Sequence, residues 1–552
     1  MRRLLVANAL LLILLASSWP LLHSGFFRVH DFTHGARIAE MTRAVADGHI
    51  PPQWSKNFGY GYGMPLFLFY APLPYYFGGV VFWLSGSIIF SVSSIFFLAN
   101  LLTVVGAYYL GRRLFGSLGG VLLSAAITLA PYRAVNLFIR GAVSEAWGIA
   151  ASVWMLLGLV LVLKKEKYGW LVLSLSTAGL LLSHNLISMI FLPFFALFAL
   201  GLIMYKKAWK QAITAFFSGL LGVGIASFYV LPAFFEKSAT QVEGRILTHY
   251  FDFHLHFLYL RQFVTPYWGY GGSVWGPNDD ISFFLGYGML AGLLLTGAAL
   301  LQNFRQKKKL ARPFVLLSIL SFILGSLALF MTTEKTLILW EQISLLKFVQ
   351  FPWRFLSVAI IFISLAITSG IVSLSSKLVK FALTGVVFAI LLSNARYFRP
   401  EAYLDSPQEL YSAEESQVAQ KMSGILPDFL PQGFDEEALP VNLSQVVVSP
   451  ELTDSSVLVN RVQEKLVFVE FSDPTDLVFA LADFPGWQVE IDGEQVNHGK
   501  TTEGLLSVLV PAGSHQIGVR FLPTLVRAWA NGISAASLFI LFALLLYLEK
   551  KK

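Results

Sequence analysis

The residues of this chain whose types and spacing suit chemistry gather first between positions 29 and 76. There His30-Asp31, His34 and Arg37 precede Pro51-Pro52-Gln53-Trp54, Gly59-Tyr60-Gly61-Tyr62-Gly63, and Tyr70, Tyr75 and Tyr76. Asp31, His34 and Arg37 recur at three-residue intervals, so a helix would put them on one stripe. A carboxylate there can take the proton from an acceptor hydroxyl as a general base. At a helix start the same carboxylate can instead act as a cap, accepting a backbone N–H. His30 and His34 have the i, i+4 spacing of a chelating pair with Asp31 as a third ligand, so a divalent metal is compatible with the pattern. No glutamate stands where a metalloprotease needs one, however, and solvated or carboxylate-orienting histidines explain the same spacing. No metal ligand and no cofactor is assigned.

A second set is cationic: Arg133, Arg140 followed by Glu145, and Arg354 within Phe351-Pro352-Trp353-Arg354-Phe355. Guanidinium groups beside aromatics suit phosphate, whose oxygens they can bond two at a time. The alternatives are snorkelling to lipid headgroups and, for Arg140 with Glu145, a structural ion pair. The stretch 236–280 adds Arg245, His249, Asp252, His254, His256 and Arg261, then Tyr267-Trp268-Gly269-Tyr270 and Trp275. Such a mixture can stack on and hydrogen-bond a sugar acceptor, and it equally fits an aromatic belt at a membrane surface. Gly59, Gly61 and Gly63 lie among tyrosines, with no strand before them and no Lys-Ser/Thr after, so they are not a nucleotide-phosphate loop. Neither a nucleotide donor nor a nucleic-acid partner is expected.

The elements that must position these residues are membrane helices. The chain has 552 residues, of which 56% are hydrophobic and only 13% charged, with a mean hydropathy of +0.65. Soluble domains are about one-quarter charged. Apolar segments lie at about 4–22, 65–84, 90–110, 117–131, 146–163, 168–183, 187–205, 211–234, 281–303, 313–331, 355–374, 378–394 and 524–548, against the ~20 residues a crossing needs. The basic clusters are Arg2-Arg3, Arg112-Arg113, Lys164-Lys165 with Lys167, Lys206-Lys207, Arg305 with Lys307, Lys308 and Lys309, Lys377 with Lys380, and Lys550, Lys551 and Lys552. Basic loops are retained in the cytoplasm. All seven clusters fall on that side only if 65–84 does not cross, which leaves twelve crossings and one juxtamembrane segment. The prolines and tyrosines of 65–84 suit an interfacial element.

Both termini are therefore expected in the cytoplasm, with 23–89, 132–145, 235–280, 332–354 and 395–523 outside and an outer hinge at Ser183-His184-Asn185. The first span is read as retained and not as a cleaved signal peptide, since cleavage would detach the first loop from the helix that positions it. Within that loop 31–46 has helical spacing, with Ile38, Met41 and Val45 on one face, and Asp47-Gly48 and Pro51-Pro52 end it.

Residues 395–523 differ from the rest, with 7 Lys+Arg against 20 Asp+Glu, so that this segment is acidic while the remainder is strongly basic. Its short alternating runs predict strands, among them 466–471, 478–482 and 487–491, and Asp492-Gly493 predicts a hairpin turn. The expected architecture is an α-helical polytopic membrane protein with a C-terminal extracytoplasmic β-sandwich. Its divisions are a transmembrane domain over 1–394 whose first outer loop is 23–89, the β-rich domain over 395–523, and a last helix with a basic tail over 524–552. With no cysteine, the outer domain must hold by its core alone.

The run from His30-Asp31 through Arg37, Asp47-Gly48, Pro52-Gln53-Trp54 and Gly59-Tyr60-Gly61-Tyr62-Gly63 to Tyr76 resembles bacterial and archaeal multi-pass proteins labelled 6-pyruvoyl-tetrahydropterin synthase-related. So do Ala130-Pro131-Tyr132-Arg133, Arg140 with Glu145, Ser183-His184-Asn185 and Phe351-Pro352-Trp353-Arg354-Phe355. The chemistry in that label needs a soluble zinc enzyme, which nothing here resembles. Architecturally the chain is similar to the GT-C superfamily of polyprenyl-phosphate-sugar glycosyltransferases, and the tail around Phe484-Pro485-Gly486-Trp487 resembles the outer β-domain of membrane proteins that glycosylate teichoic acids. Many GT-C members pair two acids in the first loop, whereas Asp31 here follows His30.

The resemblance implies transfer of a sugar from a polyprenyl-phosphate donor to a glycan or protein acceptor outside the cytoplasm. It makes Asp31 the catalytic acid-position residue, with Arg354, Arg140 and Arg37 on the donor phosphate and His30, His34, Glu145, His184, Tyr60 and Tyr62 on substrate. The other readings are a lipid-linked glycan flippase or exporter, which the near absence of intramembrane acids disfavours, and a non-catalytic scaffold for envelope assembly.

Overall fold

The computed structural model describes residues 2–245, 249–306, 312–374, 376–425, 427–450 and 456–550. Of the expected cytoplasmic cations, Lys307, Lys308, Lys309, Lys551 and Lys552 lie outside the described residues. Among the described residues, ten helices are long and apolar enough to cross a membrane. One of them, Ile88–Thr128, carries two of the expected spans, and Gly116 at φ 81° breaks the helical dihedrals between them. The fifteen-residue helix Gly169–Ser183 carries another. Each of the twelve segments expected to cross thus falls on a helix. The segment 65–84 instead forms Leu66–Phe69 and the thirteen-residue Leu73–Ser85, too short for the ~20-residue crossing length.

The chain divides into two compact units. The first comprises Met1–Asp31, Ser93–Gly224 and Leu247–Pro407. Its centre is formed by Val143–Leu163 and Leu356–Val372, the two spans whose residues are almost wholly buried. A helix apolar on all sides belongs inside a bundle. Close approach there depends on small residues: a Cβ on Gly158 would stand 2.6 Å from the Leu173 backbone, and one on Gly288 2.7 Å from that of Ile390. Helices Gly169–Ser183 and Asn185–Lys206 are separated by His184, whose φ of −163° and ψ of 114° end one helix, while its ring nitrogen accepts from the Ile187 N–H to cap the next.

The second unit comprises Phe32–Val92, Ile225–Ile246 and Gln408–Lys552. Its helix His34–Ala46 buries Ile38 and Met41 of the expected face but leaves Val45 41% exposed and buries Arg37 and Glu40 instead, and it ends at Asp47. Among the described residues nine strands make two antiparallel sheets: β1 (Val447–Ser449), β2 (Val457–Asn460), β3 (Glu464–Phe471), β4 (Thr475–Ala482), β5 (Trp487–Ile491), β6 (Glu494–Val496), β7 (Gly499–Lys500), β8 (Leu505–Val510) and β9 (Gly513–Phe521). One sheet runs β1-β4-β8-β7 and the other β2-β3-β9-β5-β6. Asp492 and Gly493 join β5 to β6 with φ of 50° and 86°, the left-handed pair that a two-residue hairpin demands. Trp54, 1% exposed, packs its ring against Phe484, Trp487 and Phe521, so the first loop shares the core of the sandwich.

Candidate active site

The first turns of the two central helices converge on one carboxylate. Glu145 lies in the first turn of Val143–Leu163 and is fully buried. Its Oε1 accepts from the Tyr132 hydroxyl (2.7 Å), the Ser357 hydroxyl (2.6 Å) and the Asn136 amide (3.2 Å). Its Oε2 accepts from Arg140 Nη1 at 2.8 Å and has Arg354 Nε at 3.9 Å. Position in the first turn suits an anion, because the helix N-terminus carries partial positive charge. Arg133, also fully buried, bonds the Asn100 side chain at 2.6 Å and the Ala146 carbonyl at 3.1 Å. Three arginines thus share the surroundings of a single carboxylate, and the cluster is net positive.

Arg140 is the member that faces outward. Its guanidinium lies over the Trp353 ring at 4.4 Å. Both of its hydrogen bonds, to Asn136 and to Glu145, use Nη1. Among the described residues Nη2 and Nε have no hydrogen-bond partner, so the far edge of the fork can receive an anion. Burial opposes its charge, but the Glu145 carboxylate overcomes this and holds the guanidinium more firmly protonated than usual. Arg354 sits over the Phe351 ring at 4.9 Å and donates to the Val349 carbonyl and Gln350 side chain.

The first-loop acid reaches the same place through its backbone. The Asp31 N–H donates to the Arg140 carbonyl and the His30 N–H to the Ile139 carbonyl, each at 2.9 Å. A Cβ on Gly141 would come within 2.8 Å of the Asp31 carbonyl, so this seam closes only on glycine. His30 Nε2 donates to the Tyr270 carbonyl at 3.0 Å, and burial lowers its pKa. Asp31, His30, Arg140, Glu145, Arg354 and His184 therefore belong to the first compact unit.

The other expected site residues belong to the second unit. The helix there starts at His34, with Thr33 at the cap position, so Asp31 and His30 precede it and the expected shared stripe is not formed. Arg37 is fully buried, donating to the Tyr70 and Tyr75 hydroxyls at 3.0 and 2.9 Å, and His34 Nδ1 lies 3.1 Å from the Tyr75 hydroxyl. Tyr62 is buried and donates to the Pro440 carbonyl, while the Tyr60 N–H donates to Ser423. Gly61 in this loop has φ 83°, and a Cβ there would stand 1.8 Å from the Asn442 carbonyl oxygen. Among the described residues no group of three or more histidine, aspartate or glutamate side chains is placed to hold a metal.

Sequence reasoning paired Arg140 with Glu145 but missed the neutral donors Tyr132, Asn136 and Ser357 that also hold it. Tyr132 lay inside a motif already noted, and an asparagine in an apolar span, such as Asn100, signals a buried polar partner. Ser357, one turn after Arg354, carried no signal.

Residues 67–400 match the family model described as "6-pyruvoyl-tetrahydropterin synthase related domain; membrane protein". The chain is 27% identical over 236 residues to an uncharacterised protein of Lactococcus lactis subsp. cremoris (strain MG1363). That match covers 40% of this chain and 38% of the relative, so the chain spans well under half of the relative's length. Among solved structures it is similar to ArnT from Cupriavidus metallidurans bound to undecaprenyl phosphate, at 12% identity and a TM-score of 0.37, over 69% of this chain and 62% of that one. It is also similar to the Archaeoglobus fulgidus oligosaccharyltransferase in the apo form, at 13% identity and a TM-score of 0.42, over 81% and 61%. Both structural likenesses are distant.

Proposed function

This chain belongs to the membrane-protein family described as 6-pyruvoyl-tetrahydropterin synthase related, and from that premise we propose that it is an integral-membrane glycosyltransferase. It moves a sugar from a polyprenyl-phosphate donor to a glycan or protein acceptor outside the cytoplasm. The observation that carries this reading is the backbone bond between Asp31 and Arg140. It fixes the backbone of an acidic residue to that of Arg140, a member of a net-positive cluster whose guanidinium edge is open, at the ends of the two central helices. Retention of the basic clusters in the cytoplasm puts both termini there and these helix ends outside.

In this mechanism Asp31 takes the proton of the acceptor hydroxyl, whose oxygen forms a bond to the anomeric carbon. The bond from that carbon to the phosphate oxygen breaks, its electron pair leaves with the phosphate, and the anomeric configuration inverts. Phosphate is already a good leaving group, so the acid and base pair of a glycosidase is not needed. Arg140 and Arg354 stabilise the charge that grows on the phosphate, in a site partly closed to water. Glu145 acts through them by fixing the Arg140 guanidinium with a 2.8 Å bond and balancing the charge of Arg354 from 3.9 Å. His30 and His184, in the same compact unit, are further candidates for substrate.

The test is radiolabel transfer from polyprenyl-phosphate sugars to membrane acceptors in proteoliposomes, with wild type and Asp31→Asn side by side. The expected outcome is loss of transfer in the variant at an unchanged thermal midpoint. An Asn variant as active as wild type would overturn the assignment of the base. Label that crosses the bilayer while still on its lipid, with none transferred, would favour the flippase.

A further inference from the structure

We infer that a cavity of about 460 Å³ in the outer segment between Arg261 and Phe283 is a carbohydrate-binding subsite that holds one or two pyranose rings of a glycan. This deepens the proposed function by naming where a glycan is held, and its test reads binding without transfer.

The cavity is built, because its two walls are cross-linked by side chains. Asp279, 6% exposed, accepts from the Gln262 amide across the cavity and from the Val274 N–H behind it, each at 2.8 Å. Arg261 crosses the same gap to the Pro277 carbonyl and the Asn278 side chain. The Gly271 N–H donates to the Asp280 carbonyl at 3.2 Å, and a Cβ on Gly271 would stand 2.5 Å from that of Asp280, so the chain closes over Asp280 only with glycine there. Its size lies in the range of small-molecule sites, roughly 300–1,000 Å³.

The lining selects the ligand. Tyr267, 48% exposed, offers the face of an aromatic ring, whose negative quadrupole attracts the C–H groups on the apolar side of a sugar. The exposed Asp280 carboxylate makes no hydrogen bond or ion pair among the described residues, and it can accept two hydroxyl protons at once. Arg261, Asn278 and Thr265 complete a mixed set of donors and acceptors at the wall. Two carboxylates against one guanidinium repel a phosphate. A neutral polyol with one apolar face satisfies all of these groups.

The experiment uses the full chain in nanodiscs on an array of glycans, with Tyr267→Ala, Asp280→Asn and Asp31→Asn alongside wild type. Wild type should retain a subset of the glycans. Tyr267→Ala and Asp280→Asn should each weaken that binding at least tenfold without moving the thermal midpoint, and Asp31→Asn should bind as wild type. Retention of no glycan by wild type, or binding indifferent to both pocket substitutions, overturns the inference. Loss of binding in Asp31→Asn also overturns it, since the glycan would then sit at the transfer site. If Asp31→Asn proves fully active in transfer, the base assignment fails while the array result still decides the pocket.

Discussion

Two buried arginine–glutamate pairs, one in each compact unit, have the same 2.8 Å contact and opposite construction. In the second unit Arg527 is the sealed partner, 0% exposed, and Glu236 retains 9%. Its guanidinium is used on several sides: Nε bonds Glu236, Nη2 bonds the Pro485 carbonyl, and the plane lies over Phe521 and Phe484 at 4.8 and 5.3 Å. In the first unit the anion is sealed, Glu145 at 0%, and Arg140 retains 12% with one edge of its fork open. A buried ion pair is a weak source of net stability, because desolvation cancels most of the attraction. What distinguishes the two is therefore which charge is left reachable. Arg527 ties the last helix to the end of Trp209–Phe235, whereas Arg140 is held in place so that something else can meet it.

The largest effect is expected from breaking the tie. Arg527→Met leaves Glu236 buried with only the Thr524 hydroxyl, at a cost of about 3–5 kcal/mol, while transfer per folded molecule stays unchanged. Thermal midpoints and specific activity in detergent measure both, and a midpoint equal to wild type would show that the pair is not a tie. The next effect is expected in the other unit. Arg140→Lys keeps a charge for Glu145 but loses the planar second edge. Transfer should fall about 10²–10³-fold, as when one preorganised oxyanion donor is lost, with little change in midpoint. If Arg140→Lys melts early and the folded fraction transfers normally, Arg140 is a tie like Arg527 and the contrast collapses.

The membrane part was legible because crossing a bilayer imposes length and charge rules that act on sequence directly. The parity of basic clusters kept 65–84 out of the set of crossings, and its longer helix has only thirteen residues. Arg140, Glu145 and Arg354 were each visible as charges beside aromatics, but their convergence joins positions more than 200 apart through Ser357. No local spacing carries that. The stripe expected for Asp31, His34 and Arg37 failed because the helix begins only at His34, after the chain has paired its backbone with Arg140. The packing of Trp54 into the sandwich was also unreadable. It follows from ring contacts with Phe484, Trp487 and Phe521, far along the chain, and a buried tryptophan looks the same in sequence wherever its partners lie.

The smallest expected effect uses pH to probe the tie from a neighbouring residue. His49 Nε2 accepts from the Gln53 and Trp54 N–H groups at 3.0 and 3.3 Å, and its ring meets Phe521 at 5.9 Å. Protonation at Nε2 would abolish both bonds. Burial first, and the Arg527 charge second, lower its pKa to about 4 from the usual 6.5. The unfolded chain therefore binds the extra proton between those values, and stability rises with pH across that window. The contribution is fully present above about 6.5 and is lost as pH falls towards 4. At about pH 5.5 roughly one unit of the shift is felt, near 1.4 kcal/mol, read as a lower thermal midpoint than at neutral pH. His49→Gln, whose amide oxygen can accept the same two N–H groups, should flatten the dependence. In Arg527→Met the repulsion that helps keep His49 neutral is gone, so its folded-state pKa should rise towards 6.5 and less stability should be lost on acidification than in wild type, leaving a shallower slope. An unchanged slope in that variant would mean that burial alone sets the His49 pKa and that the sealed arginine is not felt beyond its own carboxylate.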